Sequence, residues 1–455
     1  MLLRTIIISV AALLATTAPA ATHEYTVTLS SDLSSLDVEA RLAPGVTRVS
    51  ARSRNARNRL IRMHDCATGD ELTASSRTVV SRTDLRCLSY SVDLLHVEPP
   101  HRQHGAGQRT IVVPITEWMW RPLLGGNDDI VVSFQLPDGV DVSVPWQPLE
   151  DGARSFRLRS SPQSGTGLSI FGRFDKVVVK IAGANLRIVS LPSPTNPIGA
   201  EAIGWTHQTA ENIALAYGRF PNPHARVVLF PVTSSRDESA VPFGRVVRDG
   251  GETVELMVDP RRSEESFLGD WTATHEFTHL MLPYLARDQR WISEGFAQYY
   301  QNVLLARAGR YTQQYAWQKL RDGLERGRES VPGLSPNQAA RGDEKNSRMK
   351  IYWSGAALAL MADIELRRRS SGAESLDLVL DRLQACCLPS RRKWSGRDLF
   401  EKLDSLIETP LFVELYERYA DAPSFPDFEP LLEQPGLAEI RAAITARRYT
   451  GEPNR

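Results

Sequence analysis

The chain lacks an excess of charge of either sign. Lys and Arg together number 54, Asp and Glu together number 54, and the formal net charge over 455 residues is zero. This argues against a basic nucleic-acid footprint and against an acidic solvating tail. Cysteine is scarce. Cys66, Cys87, Cys386 and Cys387 are the full set, and no two stand in a Cys-x-x-Cys spacing, so a thiolate zinc site is not expected. Past Ala21 there is no run of eighteen apolar residues, hence no expected membrane span. Internal repeats and low-complexity tracts are missing too, which removes solenoid and fibrous classes. What is present is ordinary globular material. The hydrophobic share is 42%, and the 30 glycines bring it close to half. That is enough for more than one core, and the length suggests about three domains.

The first twenty residues read as a signal peptide. Arg4 supplies a positive start, residues 5–15 are an apolar stretch, and Ala18-Pro19-Ala20 fits a small-residue cleavage site. The expectation is an exported protein, periplasmic or secreted, with an uncleaved anchor as the alternative. Export permits disulfides. Cys386 and Cys387 are adjacent, and a trans peptide sets their Cα atoms about 3.8 Å apart, below the usual disulfide range. Cys66–Cys87 is therefore the expected bridge, and the pairing of Cys386 and Cys387 stays open.

Between residues 24 and 191 the hydrophobic pattern has period two, in many short runs separated by Gly, Pro and Asn/Asp turns. This predicts a β-rich, sandwich-like region, here given the bounds 21–195. Residues 192–197 read as a linker. The period then changes. A helix is predicted over 200–217, buried strands over 225–232 and 253–258, and an almost wholly helical pattern from Trp271 onward, interrupted by a polar stretch at 332–347. Further helices are predicted over 351–369, 376–387 and 398–407. The fold class is thus α+β and multidomain, with a mixed region over 196–345 and a helical region over 346–455.

The chemistry is concentrated in His275-Glu276-Phe277-Thr278-His279. Residues four apart share a helix face, so the two imidazoles can reach one metal ion. Glu276 follows the first of them, where its carboxylate can hold a water beside the metal. A little further on stands Trp291-Ile292-Ser293-Glu294-Gly295-Phe296-Ala297-Gln298-Tyr299-Tyr300. Glu294, near the start of a second helix, can supply an oxygen ligand. Two His and one Glu leave a fourth position open, as catalytic zinc requires. A helix-start carboxylate favoured by the dipole is the alternative for Glu294.

These segments resemble the gluzincin metallopeptidases, and most of all the glycyl aminopeptidase family. Residues 210–221 resemble that family's helix leading into a strand before the active site. Residues 304–312 resemble the continuation after the third ligand, and residues 350–367 its Tyr-containing helix. The N-terminal segments fit its β domain more loosely. The resemblance implies a zincin-like catalytic domain over 196–345, one Zn2+ held by His275, His279 and Glu294, Glu276 as general base and Tyr352 as donor to the transition-state oxyanion. It implies a peptide or protein substrate. Two departures stand out. Where the family commonly has a Gly-Gly-Leu-Glu-His segment for the substrate's amino terminus, this chain has Gly250-Gly251-Glu252-Thr253. Glu252 is a candidate to pair with an α-ammonium, and an ordinary turn is the other reading. The family also often carries a C-terminal PDZ domain, and about thirty residues follow Pro426, too few for one.

Several features read more simply. The histidines at 96, 101 and 104 fall in a proline-rich segment expected to be a solvated loop, and His207 and His224 read as structural. Asp270 is either an N-cap or a group supporting a ligand. Met257 and Val258 lie in a strand that either binds substrate by edge pairing or sits in the core. The functional expectation is an exported zinc-dependent peptidase, aminopeptidase-like. The rivals are an endopeptidase or processing protease on the same site and a catalytically silent peptide-binding protein. Oligomeric state has no sequence signal.

Overall fold

The computed structural model of the chain describes residues 21–95, 102–105, 108–125, 128–150, 152, 154–234, 239–342, 344–432 and 436–447. The predicted signal peptide lies outside them, as do His96 and His101. The end of that expected loop, Arg102–Gly105, is a strand.

Period-two patterning builds the N-terminal region. In Ser35–Arg41 the side chains of Leu36, Val38 and Ala40 are buried and those of Asp37, Glu39 and Arg41 are exposed. Such strands form a seven-stranded sheet, in spatial order Gln147–Pro148, Ser155–Arg159, Asp129–Gln135, Thr22–Leu29, Ser35–Arg41, Cys87–Asp93 and Leu60–Asp65. A four-stranded sheet of Asp141–Ser143, Leu168–Gly172, Gln108–Pro114 and Arg102–Gly105 accompanies it. Tyr25, Val27, Leu36 and Val38 of the first sheet share one core with Ile111, Val113 and Phe171 of the second, the predicted sandwich. The expected Cys66–Cys87 disulfide is formed, and Cys386 is bonded to Cys387.

A third sheet carries the site. Its order is Asp175–Ile181, Ala184–Ser190, Arg226–Pro231, Glu252–Val258 and Phe243–Arg248. The three middle strands run parallel and the two outer ones antiparallel. The hairpin 175–190 was expected with the N-terminal strands. It pairs instead with this sheet, Arg187 to Ser190 opposite Arg226 to Leu229. Alternating hydrophobicity marks a strand and its inward face, and it does not say which sheet receives the strand.

One apolar core spans this sheet and the helices that follow, to Leu376–Cys387, Gly396–Asp404 and Phe412–Tyr419. The residues after 346 therefore pack on the same core as those before. The predicted polar interruption holds a short helix, Pro336–Arg341, started by a reciprocal cap between Ser335 and Gln338. The β region and the third sheet meet at a cation with no solvent access. Arg226 donates to Thr253 Oγ1, Ser143 Oγ and the Leu168 carbonyl, and burial pushes its guanidinium down to about 9. No helix among the described residues is long and apolar enough to cross a membrane.

Candidate active site

Three helices and one strand assemble the site. The motif helix, Thr272–Thr278, carries His275 and Glu276, with every residue buried. His279 begins a 3-10 turn, His279–Met281, with helical dihedrals, so the four-residue spacing keeps both rings on one side. The ligand helix, Arg290–Arg307, carries Glu294. The tyrosine helix, Glu344–Arg369, carries Tyr352. The ligand and tyrosine helices cross backbone to backbone. A Cβ on Gly295 would collide with Gly355 and Ala356, and one on Gly355 with the Trp291 carbonyl.

The ligand atoms of His275, His279 and Glu294 all lie within 4.8 Å of one another. Glu294 Oε2 is 3.2 Å from His275 Nε2 and 3.5 Å from His279 Nε2. Behind the rings, His275 Nδ1 is 3.2 Å from Gln301 Oε1 and His279 Nδ1 is 3.0 Å from Ser293 Oγ. Gln301 Oε1 can only accept, which puts the His275 ring proton on Nδ1 and leaves the Nε2 lone pair for a metal. Two neutral nitrogens and one carboxylate converging on a point fit zinc with a free coordination position. Burial opposes ionisation of Glu294, yet His279 and His275 hold its carboxyl well below the usual range.

Glu276 is buried beside this group, and burial raises its carboxyl above the usual range against the pull of the two histidines. The Tyr352 ring stacks on His275 with centroids 5.7 Å apart. Burial, followed by the charges of Glu294 and Glu276, pushes its phenol up. Tyr299 and Tyr300, the other tyrosines of the WxxEGFAxYY segment, are committed elsewhere. Their hydroxyls donate to Asp363 (2.7 Å) and Asp377 (3.0 Å).

Glu252 is not brought into the group. One of its oxygens accepts from Arg248 (2.7 Å) and the other from Asn222 (2.5 Å). Arg248 in turn donates to the carbonyls of His279 and Leu282. The two glycines before Glu252 serve packing. Gly250 has φ +76°, and a Cβ on Gly251 would run into the Pro145 carbonyl of the β region. Asp270 resolves as a backbone anchor of the motif helix, accepting from the Thr272 and Val241 amides.

The strand of Met257 and Val258 is flanked on both sides and cannot offer an edge. The edge is Phe243–Arg248, which the sequence reading missed. It lies against Glu276: a Cβ on Gly244 would stand 2.6 Å from Glu276 Cγ. Its signal was present. A β-branched run, then Asp249-Gly250-Gly251, then a second run is a hairpin pattern.

The family model of the M61 glycyl aminopeptidase matches residues 283–358, a stretch that includes Glu294 and Tyr352. No curated protein matches the sequence. Among solved structures, the chain is similar to an aminopeptidase N family protein from Idiomarina loihiensis, with TM-score 0.57 and 14% identity over 92% of this chain and 77% of that one. It is also similar to an M1 zinc metallopeptidase from Deinococcus radiodurans, with TM-score 0.53 and 14% identity over 90% of this chain and 94% of that one. A mutant of such an enzyme with a Tyr-Ser-Ala substrate bound matches with TM-score 0.53 and 15% identity over 90% and 96%. At these identities the likeness is one of fold.

Proposed function

We propose that this chain, which by family model and by fold is of the gluzincin zinc-aminopeptidase type, hydrolyses peptide bonds and removes residues from the amino end of its substrates. The observation that carries the reading is the convergence of His275, His279 and Glu294 with Glu276 and Tyr352 at their side. Zinc held by the three ligands would supply Lewis acidity toward the substrate carbonyl and acidify a water.

The chain's own residues supply the rest. Glu276 takes a proton from the attacking water and returns it to the leaving amine, a task suited to a carboxyl raised by burial. Tyr352, held protonated, donates its O–H to the oxyanion as the carbonyl carbon becomes tetrahedral. The edge strand Phe243–Arg248, whose far end at Arg248 pairs with Ser164, turns its Gly244 end toward Glu276 as a rail for an extended peptide. A silent binding protein would have no need of Glu276.

Metal analysis with a free-amino peptide digest tests the reading. Purified protein should contain about one zinc, His279→Ala should lose most of it, and peptides with free amino ends should be shortened stepwise. A second reading, endopeptidase action on the same site, draws on the engagement of Glu252 by Arg248 and Asn222, which leaves it unavailable to an α-ammonium. Equal cleavage of amino-blocked peptides at internal bonds would establish it. We also propose export to the periplasm or beyond. The leader pattern in residues 4–20 and the disulfides support this. Amino-terminal sequencing of the mature protein beginning near Ala21 is the expected result.

A further inference from the structure

We propose that a cavity beside Tyr352 is a subsite for a carboxylate group of the substrate, with Lys319, Arg326 and Arg348 setting that specificity. The cavity is about 340 Å³ and shares Tyr352 and Trp271 with the catalytic group; Trp271 itself meets His275 edge to face at 5.7 Å. Its remaining walls are Gln298 and Gln301 of the ligand helix, the apolar side chains of Met349 and Trp353, and the three cations.

The cavity wall is rigid. The Trp353 ring packs on Gly323 and Gly327 of the helix Gln313–Glu329, where any Cβ would collide with it. From that helix Arg326 lies over Trp353 at 5.6 Å, and Lys319 lies over Tyr311 and Tyr315 at 5.7 and 5.3 Å. Arg348, one turn before Tyr352, enters from the tyrosine helix. No carboxylate lines the cavity, and among the described residues none of the three cations forms an ion pair. Three like charges line one open pocket, Arg326 and Arg348 on its solvent side, and an anionic guest meets all three. The neighbouring amides can donate to the same group.

The guest is a carboxylate on the peptide itself, because the cavity opens onto the phenol that serves the scissile bond. It can be an Asp or Glu side chain near that bond or the terminal carboxylate of a short peptide. Rings and amides around the cations suit a planar, hydrogen-bonding anion.

The inference rests on the peptidase reading, and the test separates the two. Zinc-loaded enzyme would be assayed on peptides with carboxy-terminal amides in which Glu or Gln is scanned through positions flanking the cut. A second set compares free-acid with amidated short peptides. Glu over Gln at one position, or acid over amide, should favour kcat/KM by roughly 10-fold, the scale of one charge-assisted hydrogen bond. Raising salt should shrink the ratio. The Lys319→Ala/Arg348→Ala double variant should bring it toward one, and Arg348→Glu should favour Lys over Glu. Which set responds identifies the source of the carboxylate. Ratios near one in both sets, with neutral peptides turned over, overturn the subsite alone. Failure to cleave any peptide overturns the peptidase reading, and calorimetric affinities of the same pairs for Glu276→Gln protein then decide the subsite by the same ratio.

Discussion

At the scale of single residues the proposed mechanism divides metal holding from proton handling. Glu276 is buried beside the ligands without being grouped among them. Glu276→Gln is close to isosteric and cannot take a proton from water. Zinc content should stay at the wild-type level while kcat falls by roughly 10²–10⁴, read by metal analysis alongside steady-state kinetics. A variant with near-normal turnover would remove the general-base role. Tyr352 differs in kind, since its ring stacks on His275 and its phenol is held protonated. Tyr352→Phe should lower kcat by roughly 10²–10³ and leave KM and zinc little changed, because an oxyanion exists only near the transition state. Unaltered kcat would return Tyr352 to a packing role. Tyr299 and Tyr300 would not inherit the role, their hydroxyls being bonded to Asp363 and Asp377.

At the scale of elements, the decisive feature is how closely the ligand and tyrosine helices approach. Gly295 and Gly355 leave no room for a methyl group at the crossing. That closeness is what lets Glu294 and Tyr352, each one residue or one turn from a crossing glycine, face the same point. Gly355→Ala forces the helices apart. Thermal unfolding should show a loss of about 1–3 kcal/mol, the usual cost of overpacking, and kcat should drop more than it would from a remote substitution of equal cost. Wild-type stability would mean that the helices have slack the crossing does not display. The small residues at 355 and 356 were readable as a close-packing signal. Their partner was not, because Gly295 lies sixty residues earlier and local pattern carries no pairing information.

At the scale of the whole molecule, a buried charge network joins distant segments. Asp377 accepts from Arg307 (2.8 Å), Tyr300 (3.0 Å) and Arg367 (3.4 Å). Arg307 also donates to the carbonyls of Leu215 and Ile444. Asp377→Ala strands the Arg307 charge, only 3% exposed, without a counterion. It should cost about 3–5 kcal/mol in denaturant unfolding; a cost under 1 kcal/mol would show that the network is not coupled to global stability. In the β region, the Cys66–Cys87 bridge spans 21 residues. Replacing both cysteines by Ser should cost about 3 kcal/mol, measured on that region's unfolding transition.

The sequence by itself determined the chemistry. His275, Glu276 and His279 are joined by helical periodicity, and that short-range geometry brings two imidazoles to one side wherever the helix is placed. It also determined the β-to-α change of period, since side-chain alternation is a local property, and the Cys66–Cys87 pair, since few alternatives existed. Only the tertiary structure decided which strand is the edge, which sheet takes the hairpin at 175–190, and what Gly250-Gly251-Glu252 does. Each of these depends on contacts between segments far apart in the chain: Gly244 on Glu276, Arg187 opposite Arg226, Gly251 on Pro145. The same holds for the cations beside Tyr352. Lys319 and Arg326 stand on one helix and Arg348 on another, and they become one cavity wall only when the two helices pack around Trp353.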